Sequence, residues 1–153
     1  MRVSAKTDYA LQAMVQLAAS GTYEPVTAEE IATAQHIPLK FLLGILNELK
    51  RAHLVRSQRG AEGGYALRRP AGDISLADVI RAIDGPLANV HDASLSELSY
   101  PGAAGPLREV WMAVRASLRS VLETVSLEDL ANGKLPRHVR GLAERYQAET
   151  PVR

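Results

Sequence analysis

The feature that most constrains the fold is a short helix, a tight turn and a second helix, followed at once by a glycine-rich hairpin. Thr27 and Glu30 have the spacing of a capping box, in which hydroxyl and carboxylate satisfy free amides at a helix start. Gln35-His36 is a polar break, and Pro38 suits a first helical turn because its missing N–H would be unpaired there anyway. This order predicts a helix-turn-helix, which places its second helix in the DNA major groove. An ordinary helical hairpin inside a core is the alternative.

The second predicted helix, from Pro38 to Arg51, has an apolar and a polar side. Leucines at helical spacing, with Phe41 and Ile45 alongside, predict the core side: Leu39, Leu42, Leu43, Leu46 and Leu49. The other side carries Lys40, Asn47, Lys50 and Arg51. In a DNA complex we expect Leu39 and Lys40 nearest the groove, and the later polar residues nearer the phosphates.

A β-wing is predicted directly after this helix. The segment 54–58 alternates like a strand, the turn 59–64 is rich in glycine, and 65–67 returns before Pro70 stops the strand. From Lys50 to Arg69 there are six basic side chains and one acid, whereas the whole chain has a net charge of only +1. Such a local basic excess is typical of phosphate binding, and an arginine at the hairpin tip could enter a minor groove. A solvated hairpin with arginines for solubility is the alternative.

Together these elements predict double-stranded DNA as the partner. The residues predicted to bind it are Thr27, Pro38, Leu39, Lys40, Asn47, Lys50, Arg51, Arg59, Gly60, Gly63, Gly64 and Tyr65.

Several segments of the chain resemble the Rrf2 family of bacterial winged-helix regulators, which includes iron–sulfur and nitric-oxide-responsive repressors. The resemblance rests on the N-terminal MRVSAKTDYA, the helix-turn-helix, LKRAHLV at 49–55, RGAEGGYAL at 59–67, DVIRAIDG at 78–85 and the segment 106–130. It covers most of residues 1–133. It implies a sequence-specific transcriptional regulator that acts as a homodimer, and we expect a repressor. Two copies of the helix-turn-helix are expected to read an inverted repeat whose half-sites lie on one face of the duplex.

One departure from the family concerns its cofactor. Cluster-binding members carry three cysteines in the loop before the dimerisation helix, and this chain has no cysteine. Because thiolates are the main ligands of iron–sulfur clusters, we expect no such cluster and no other cofactor. Asp8 stands where some relatives supply a carboxylate ligand, and His91 lies in the loop that replaces the cysteines. These two are weak metal-ligand candidates; an acid in a first helical turn and a plain loop histidine are the simpler interpretations.

The predicted fold is mainly α with a small β-wing, in four parts. Residues 1–85 form the winged helix-turn-helix domain, 86–105 a sensor-type loop, 106–133 the dimerisation helices, and 134–153 a basic tail that is either a loose helix or disordered. The long helix from Pro106 to about Val125 has a wide apolar stripe, which predicts burial against a second copy. The residues predicted for dimerisation are Leu107, Val110, Trp111, Val114, Leu118 and Val121. A ligand pocket that includes Trp111 and Met112 is the alternative for that region.

Several functional classes are disfavoured by the sequence. It contains no G-x-S-x-G, phosphate loop or paired-histidine zinc motif, so we expect no enzyme. It lacks the run of ~18 apolar residues that a membrane helix needs, and a cytoplasmic location is expected. Two alternatives stay open. One is a winged helix used for protein contacts, and the other is a regulator that senses a small molecule or metal through the 86–105 loop.

Overall fold

The computed structural model describes residues 2–90 and 93–150. Within those residues it has seven α-helices and one two-stranded antiparallel sheet, and so the prediction of a mainly helical chain with a small β-wing is confirmed. The elements are α1 (Ala5–Ala19), α2 (Ala28–Gln35), α3 (Leu39–Arg51), β1 (Val55–Gln58), β2 (Gly64–Leu67), α4 (Leu76–Asp84), α5 (Leu107–Leu122), α6 (Leu127–Ala131) and α7 (Arg137–Glu149). None of these helices combines the length and the apolar character that crossing a bilayer requires.

Helix α1 lies at the centre of the core. Ser4 caps it by accepting a hydrogen bond from the Thr7 amide. Its inner face is fully buried and consists of Ala10, Ala13, Met14 and Leu17. It contacts α2, α3, α4, α6 and β2, and the small alanines let these neighbours come close. The helix therefore sets the relative positions of the helix-turn-helix and the wing.

Capping boxes start three of the other helices. The predicted box of Thr27 and Glu30 is present, and so is the box of Ser75 and Asp78. A third, at the start of α6, joins Ser126 to Asp129. Each box satisfies two amides that a helix start leaves free.

The starts of α4 and α6 are joined by backbone hydrogen bonds. Leu76 N donates to the Val125 carbonyl at 3.0 Å, and Leu127 N donates to the Ile74 carbonyl at 2.9 Å. Val125, which the sequence placed on the long helix, is buried at this junction beyond the end of α5. The chain therefore returns, after the end of α5, to the place where α4 begins.

The wing is a two-stranded hairpin whose second strand also pairs with the segment before α2. Val55 lies opposite Leu67 and Gln58 opposite Gly64. Tyr65 and Val26 exchange two backbone hydrogen bonds, of 2.7 and 2.8 Å. The hairpin is therefore held against the helix-turn-helix by backbone contacts as well as by its buried side chains.

The structure corrects the predicted inner face of α3. The buried residues are Leu42, Ile45, Leu46 and Leu49. Leu39 and Leu43, predicted to be in the core, are 37% and 46% exposed, and Ile45 takes their place. Leu43 lies about 100° around the helix from Leu42, whereas Leu39 and Ile45 lie at similar angles on either side of the line through 42, 46 and 49. The elements packed against α3 therefore decide that Ile45 is buried and Leu39 is not. Pro38 is the residue before the helix, which begins at Leu39.

The tail is ordered as a helix in its described part. Disorder was one of the two expectations for residues 134–153, but 137–149 form α7. The ring Nε2 of His138 lies 2.9 Å from the Ser120 carbonyl oxygen and 3.0 Å from the Thr124 hydroxyl, so α7 is attached to the end of α5.

We predict that Gly64→Ala unfolds the wing and destabilises the protein by more than about 2 kcal/mol. Gly64 has a φ of +148°, and a Cβ there would lie 2.5 Å from the Val26 carbonyl oxygen. The free energy of unfolding in urea measures the loss. Gly60→Ala is the matched control, because Gly60 has a φ of +110° but open space around it, and it should cost only about 1 kcal/mol of backbone strain. Equal losses in the two variants would contradict the close-packing argument.

Candidate nucleic-acid interface

The outer side of α3 is a continuous exposed row. Lys40, Gly44, Asn47 and Arg51 are all exposed and follow the spacing i, i+4, i+7 and i+11. At 3.6 residues per turn this spacing lines up along one face, opposite the buried residues of the same helix. Two cations, one amide and one residue without a side chain therefore form the surface that a groove would meet.

Exposed apolar side chains flank this row on both sides. Leu43 is 46% exposed and Phe41 is 64% exposed, although both are large. Apolar side chains beside a recognition surface can contact the methyl group of thymine in the major groove. The outer face of α3 is thus suited to methyl groups as well as to hydrogen-bonding base edges.

The single acidic residue of α3, Glu48, forms an ion pair with a lysine of α1. The Lys6 Nζ lies 2.7 Å from the Glu48 Oε2, which links the first turn of α1 to the last turns of the recognition helix. An unmatched carboxylate at this place would repel phosphate groups. The pair is half exposed, so its effect is on the local field more than on stability.

The wing divides its basic residues between structure and surface. Arg56 donates through Nη2 to the Tyr23 carbonyl at 3.1 Å, and Arg69 lies 3.9 Å from the Asp78 carboxylate. Within residues 2–90 and 93–150, no ion pair involves Lys50, Arg51, Arg59 or Arg68, all four of which are exposed. Those four are the cations best placed to meet phosphates.

The wing glycines have different roles. Gly60, next to Arg59 at the tip, has open space on its Cβ side. At Gly63 a Cβ would collide with the Gln58 carbonyl oxygen, and at Gly64 with the Val26 backbone. Packing inside the protein thus accounts for two of the glycines predicted for DNA, while Tyr65 beside them is half-buried.

Two other predicted residues lie at helix starts. The Thr27 hydroxyl accepts a hydrogen bond from the Glu30 amide, and Pro38 is exposed just before α3. Gly44 is not among the residues predicted from the sequence to bind DNA, although a glycine in the middle of a helix is unusual enough to be a signal.

The metal-ligand candidates do not come together. Asp8 is exposed and accepts a hydrogen bond of 2.7 Å from the Gln12 amide. His91 lies outside the described residues. In the part of the chain that the structure describes, no three histidine or acidic side chains are grouped as metal ligands would be.

A helix-turn-helix followed by an antiparallel hairpin, with an exposed basic surface on both, defines a winged-helix DNA-binding protein. Residues 3–133 match the Rrf2 family, described as an iron-dependent transcriptional regulator. The chain belongs to the Rrf2 family, and the resemblance seen in the sequence is confirmed.

Similar sequences and similar solved structures support the same family assignment. The chain is 52% identical over 153 residues to Rv1287 of Mycobacterium tuberculosis, named as an HTH-type transcriptional regulator, with 100% of this chain and 95% of the relative covered. Among solved structures, CymR, the global cysteine regulator of B. subtilis, is 31% identical with a TM-score of 0.75, covering 88% of this chain and 98% of its own. IscR from T. potens is 32% identical with a TM-score of 0.71, covering 87% and 88%. The family and its named members are transcriptional regulators, not enzymes.

Proposed function

We propose that this protein is a homodimeric repressor that reads an inverted-repeat operator and works without a cysteine-ligated iron–sulfur cluster. Support for a dimer comes from helix α5. It is the longest helix in the described residues and has no buried residue, although apolar side chains line one side of it.

The proposed surface for base recognition is the outer row of α3 together with the apolar side chains beside it. Lys40 and Asn47 supply hydrogen bonds to base edges, and Leu39, Leu43 and Phe41 supply apolar contacts to thymine methyl groups. Lys50 and Arg51, at the end of the helix, bind phosphates and set the register. Arg59, at the wing tip beside Gly60, inserts into a flanking minor groove and prefers a narrow A·T-rich one. Thr27, Gly63, Gly64 and Tyr65 hold the backbone that presents these side chains.

Gly44 supports this orientation of the helix. A glycine in a helix interior costs about 1 kcal/mol relative to alanine, and a Cβ at Gly44 would meet nothing within 4 Å inside the protein. Packing therefore gives no reason for glycine at this position. Close approach of another molecule to the helix backbone does give one, and base edges at the floor of a groove would approach there.

The proposed dimer surface is the groove along α5. It has a volume of about 610 Å³ and is lined by Val110, Ala113, Val114, Ser117, Leu118, Val121, Leu122 and, from α7, Leu142. Leu107, Val110 and Val114 are 37%, 51% and 40% exposed. Monomeric proteins rarely leave so continuous an apolar strip in water. A second copy related by a two-fold axis would cover the strip with the same strip, and Trp111 lies at its edge.

The residues of this chain do not fit an iron–sulfur cluster. Clusters are held chiefly by cysteine thiolates, and the sequence has none. The carboxylate of Asp8 is a poor substitute on its own. We therefore infer that any iron response of the family is absent here, or is received by a different group of ligands.

Repression follows from how such a dimer binds. Two recognition helices in successive major grooves on one face of the duplex would exclude other proteins from that site. The competing function, a winged helix used for protein contacts, does not account for exposed cations on both α3 and the wing tip.

We expect Gly44→Ala to stabilise the fold by about 0.5–1 kcal/mol and to weaken operator binding by about tenfold, because the added methyl group separates the helix from the bases. Thermal unfolding and fluorescence anisotropy on a fragment selected by the wild type from genomic DNA measure the two effects.

Gly141→Ala is the control for Gly44→Ala, since Gly141 also lies within a helix with nothing within 4 Å of a Cβ. It should gain stability and keep operator affinity. In the same assay Arg59→Ala should relax the preference at flanking A·T positions. If Gly44→Ala binds the operator as tightly as the wild type, the proposed orientation of α3 is wrong.

We predict that Val114→Glu combined with Leu118→Glu yields monomers, because four charges would be placed in the two-fold contact of a dimer. Sedimentation gives the mass, and operator affinity should fall at least about tenfold as the second half-site is lost. Glu109→Lys is the matched control: Glu109 is exposed on α5 outside the apolar groove, its charge changes by the same amount as in the double variant, and the dimer should stay intact. A double variant of unchanged dimer mass refutes the α5 interface.

The protein purified without oxygen should be colourless and should contain no stoichiometric iron and sulfide. Visible absorbance and metal analysis check this after anaerobic reconstitution, with a cysteine-containing relative treated in parallel. A stable chromophore on this chain whose loss changes operator binding would overturn the proposal and would implicate Asp8 and the histidines.

A further inference from the structure

A second cavity lies on the side of α5 away from the apolar groove. It has a volume of about 340 Å³ and is formed between the segment before α5 and the helix itself. Its described lining residues are Leu95, Ser96, Arg108, Met112, Arg115, Ala116 and Arg119. Cavities of about 300 Å³ and more are large enough for a small metabolite.

Three arginines form the charged wall of this cavity. Arg108, Arg115 and Arg119 are spaced i, i+7 and i+11, so they follow one side of α5. None of the described lining residues is acidic. Planar guanidinium groups bind carboxylate and phosphate oxygens through pairs of parallel hydrogen bonds, and this makes arginine the preferred residue for such anions.

Two of the arginines are held in place by single contacts within the protein. Arg108 donates through Nε to the Leu95 carbonyl at 3.3 Å. Arg119 donates through Nε to the Glu123 carboxylate at 2.9 Å, and that carboxylate also accepts from Arg81. The Arg81 guanidinium, followed by that of Arg119, holds the pKa of the Glu123 carboxyl below its ordinary value. Glu123 is thus shared between two cations and cannot neutralise the arginine wall.

Arg115, between them, has an unsatisfied donor. Its Nε is buried and, among the described residues, has no hydrogen-bond partner. A buried donor on a charged group without a partner is costly, and native proteins rarely leave one. Arg115 also lines the cavity, and a small shift of its side chain towards an anion there would give the donor a partner.

We propose that this cavity, which we call the arginine pocket, binds a small organic dianion carrying phosphate or carboxylate groups. Arg115 is its central ligand, and Arg108 and Arg119 flank it. Leu95, Met112 and Ala116 contact a short carbon skeleton, so a bare inorganic ion binds more weakly than an organic one of the same charge.

Such a ligand would join two parts of the chain. It would link the segment at Leu95, in the loop that carries cysteines in cluster-binding relatives, to the helix whose opposite side is the proposed dimer surface. Ligand binding in the arginine pocket would therefore shift the position of α5. In the proposed dimer such a shift would change the spacing of the two recognition helices. This role as an effector site rests on the proposed dimeric repressor, whereas the anion site itself does not.

The test is calorimetric titration of the full chain, without DNA, with three probes: inorganic phosphate, n-butyl phosphate and succinate. We expect saturable binding in a ratio of one per chain, with n-butyl phosphate at least about fivefold tighter than inorganic phosphate. The relative affinities for n-butyl phosphate and succinate identify whether phosphate or carboxylate is the preferred group. No saturable binding of any probe would overturn the proposal.

Three variants locate the site. Arg115→Gln removes the central charge and should weaken binding at least about tenfold. Ala116→Asp leaves all three arginines in place but adds a carboxylate inside the cavity, and it should abolish binding even if Arg115→Gln folds poorly. Arg145→Gln makes the same change in charge at an exposed position of α7 and should bind like the wild type. Unchanged binding by both pocket variants, or an equal loss in the Arg145 variant, would refute the assignment.

A second arm separates the site from its role. The saturating probe is added to the wild type bound to its operator fragment, and we expect affinity to change at least about threefold. If the probe binds and operator affinity does not change, the effector role fails and the arginine pocket stands. If the wild type selects no operator at all, the proposed function fails independently of the titration.

Discussion

The whole structure depends on the burial of one side of α1. Ala10, Ala13, Met14 and Leu17 are fully buried, and five other elements pack around them. Because the alanines are so small, any larger side chain at those places would push the helix-turn-helix away from α4 and α6. The first turn of the same helix also places Lys6 beside Glu48, the single acid of α3. The geometry of the DNA-binding surface is thus set from within, by a helix that itself presents little of that surface.

Helices α3 and α5 each have a side that does not pack against the rest of the described chain. The proposed functions rest on those two sides. The outer row of α3 combines cations, an amide, a bare glycine and flanking apolar groups, which is a poor surface for water but a good one for a major groove. Helix α5 has two opposite sides, an apolar groove and the arginine pocket. One helix can therefore contact a second copy and a small anion together, which would let ligand binding act on the dimer through a single rigid element.

The bounds of the helices and strands were predicted from the sequence more accurately than which side of each helix is buried. Capping residues and the glycine-rich turn are local signals, so the helix-turn-helix and the wing were found with nearly the observed bounds. The inner face of α3 was partly wrong, because seven apolar residues among thirteen fit more than one stripe and only tertiary contacts choose Ile45 over Leu39 and Leu43. Gly63 and Gly64 resembled ligand contacts, but the Gln58 and Val26 carbonyls explain them. The arginine pocket was not predicted, since its parts are separated in sequence and meet only when the segment near Leu95 folds back on α5.

The backbone hydrogen bonds that join the starts of α4 and α6 have a consequence for how such chains diverge. Helix α4 packs on α1 and α3, and after it the chain leaves the core and returns at Val125 to the start of that helix. Residues 85–124 therefore form a loop-like excursion whose two ends are held at neighbouring places. Lengthening a loop whose ends are already held costs little free energy, since the closure entropy grows only with the logarithm of its length. Insertions, deletions and exchanges of residues in that excursion can therefore accumulate without disturbing the DNA-binding domain. A family built in this way can replace one sensor by another while it keeps the same recognition helix and wing.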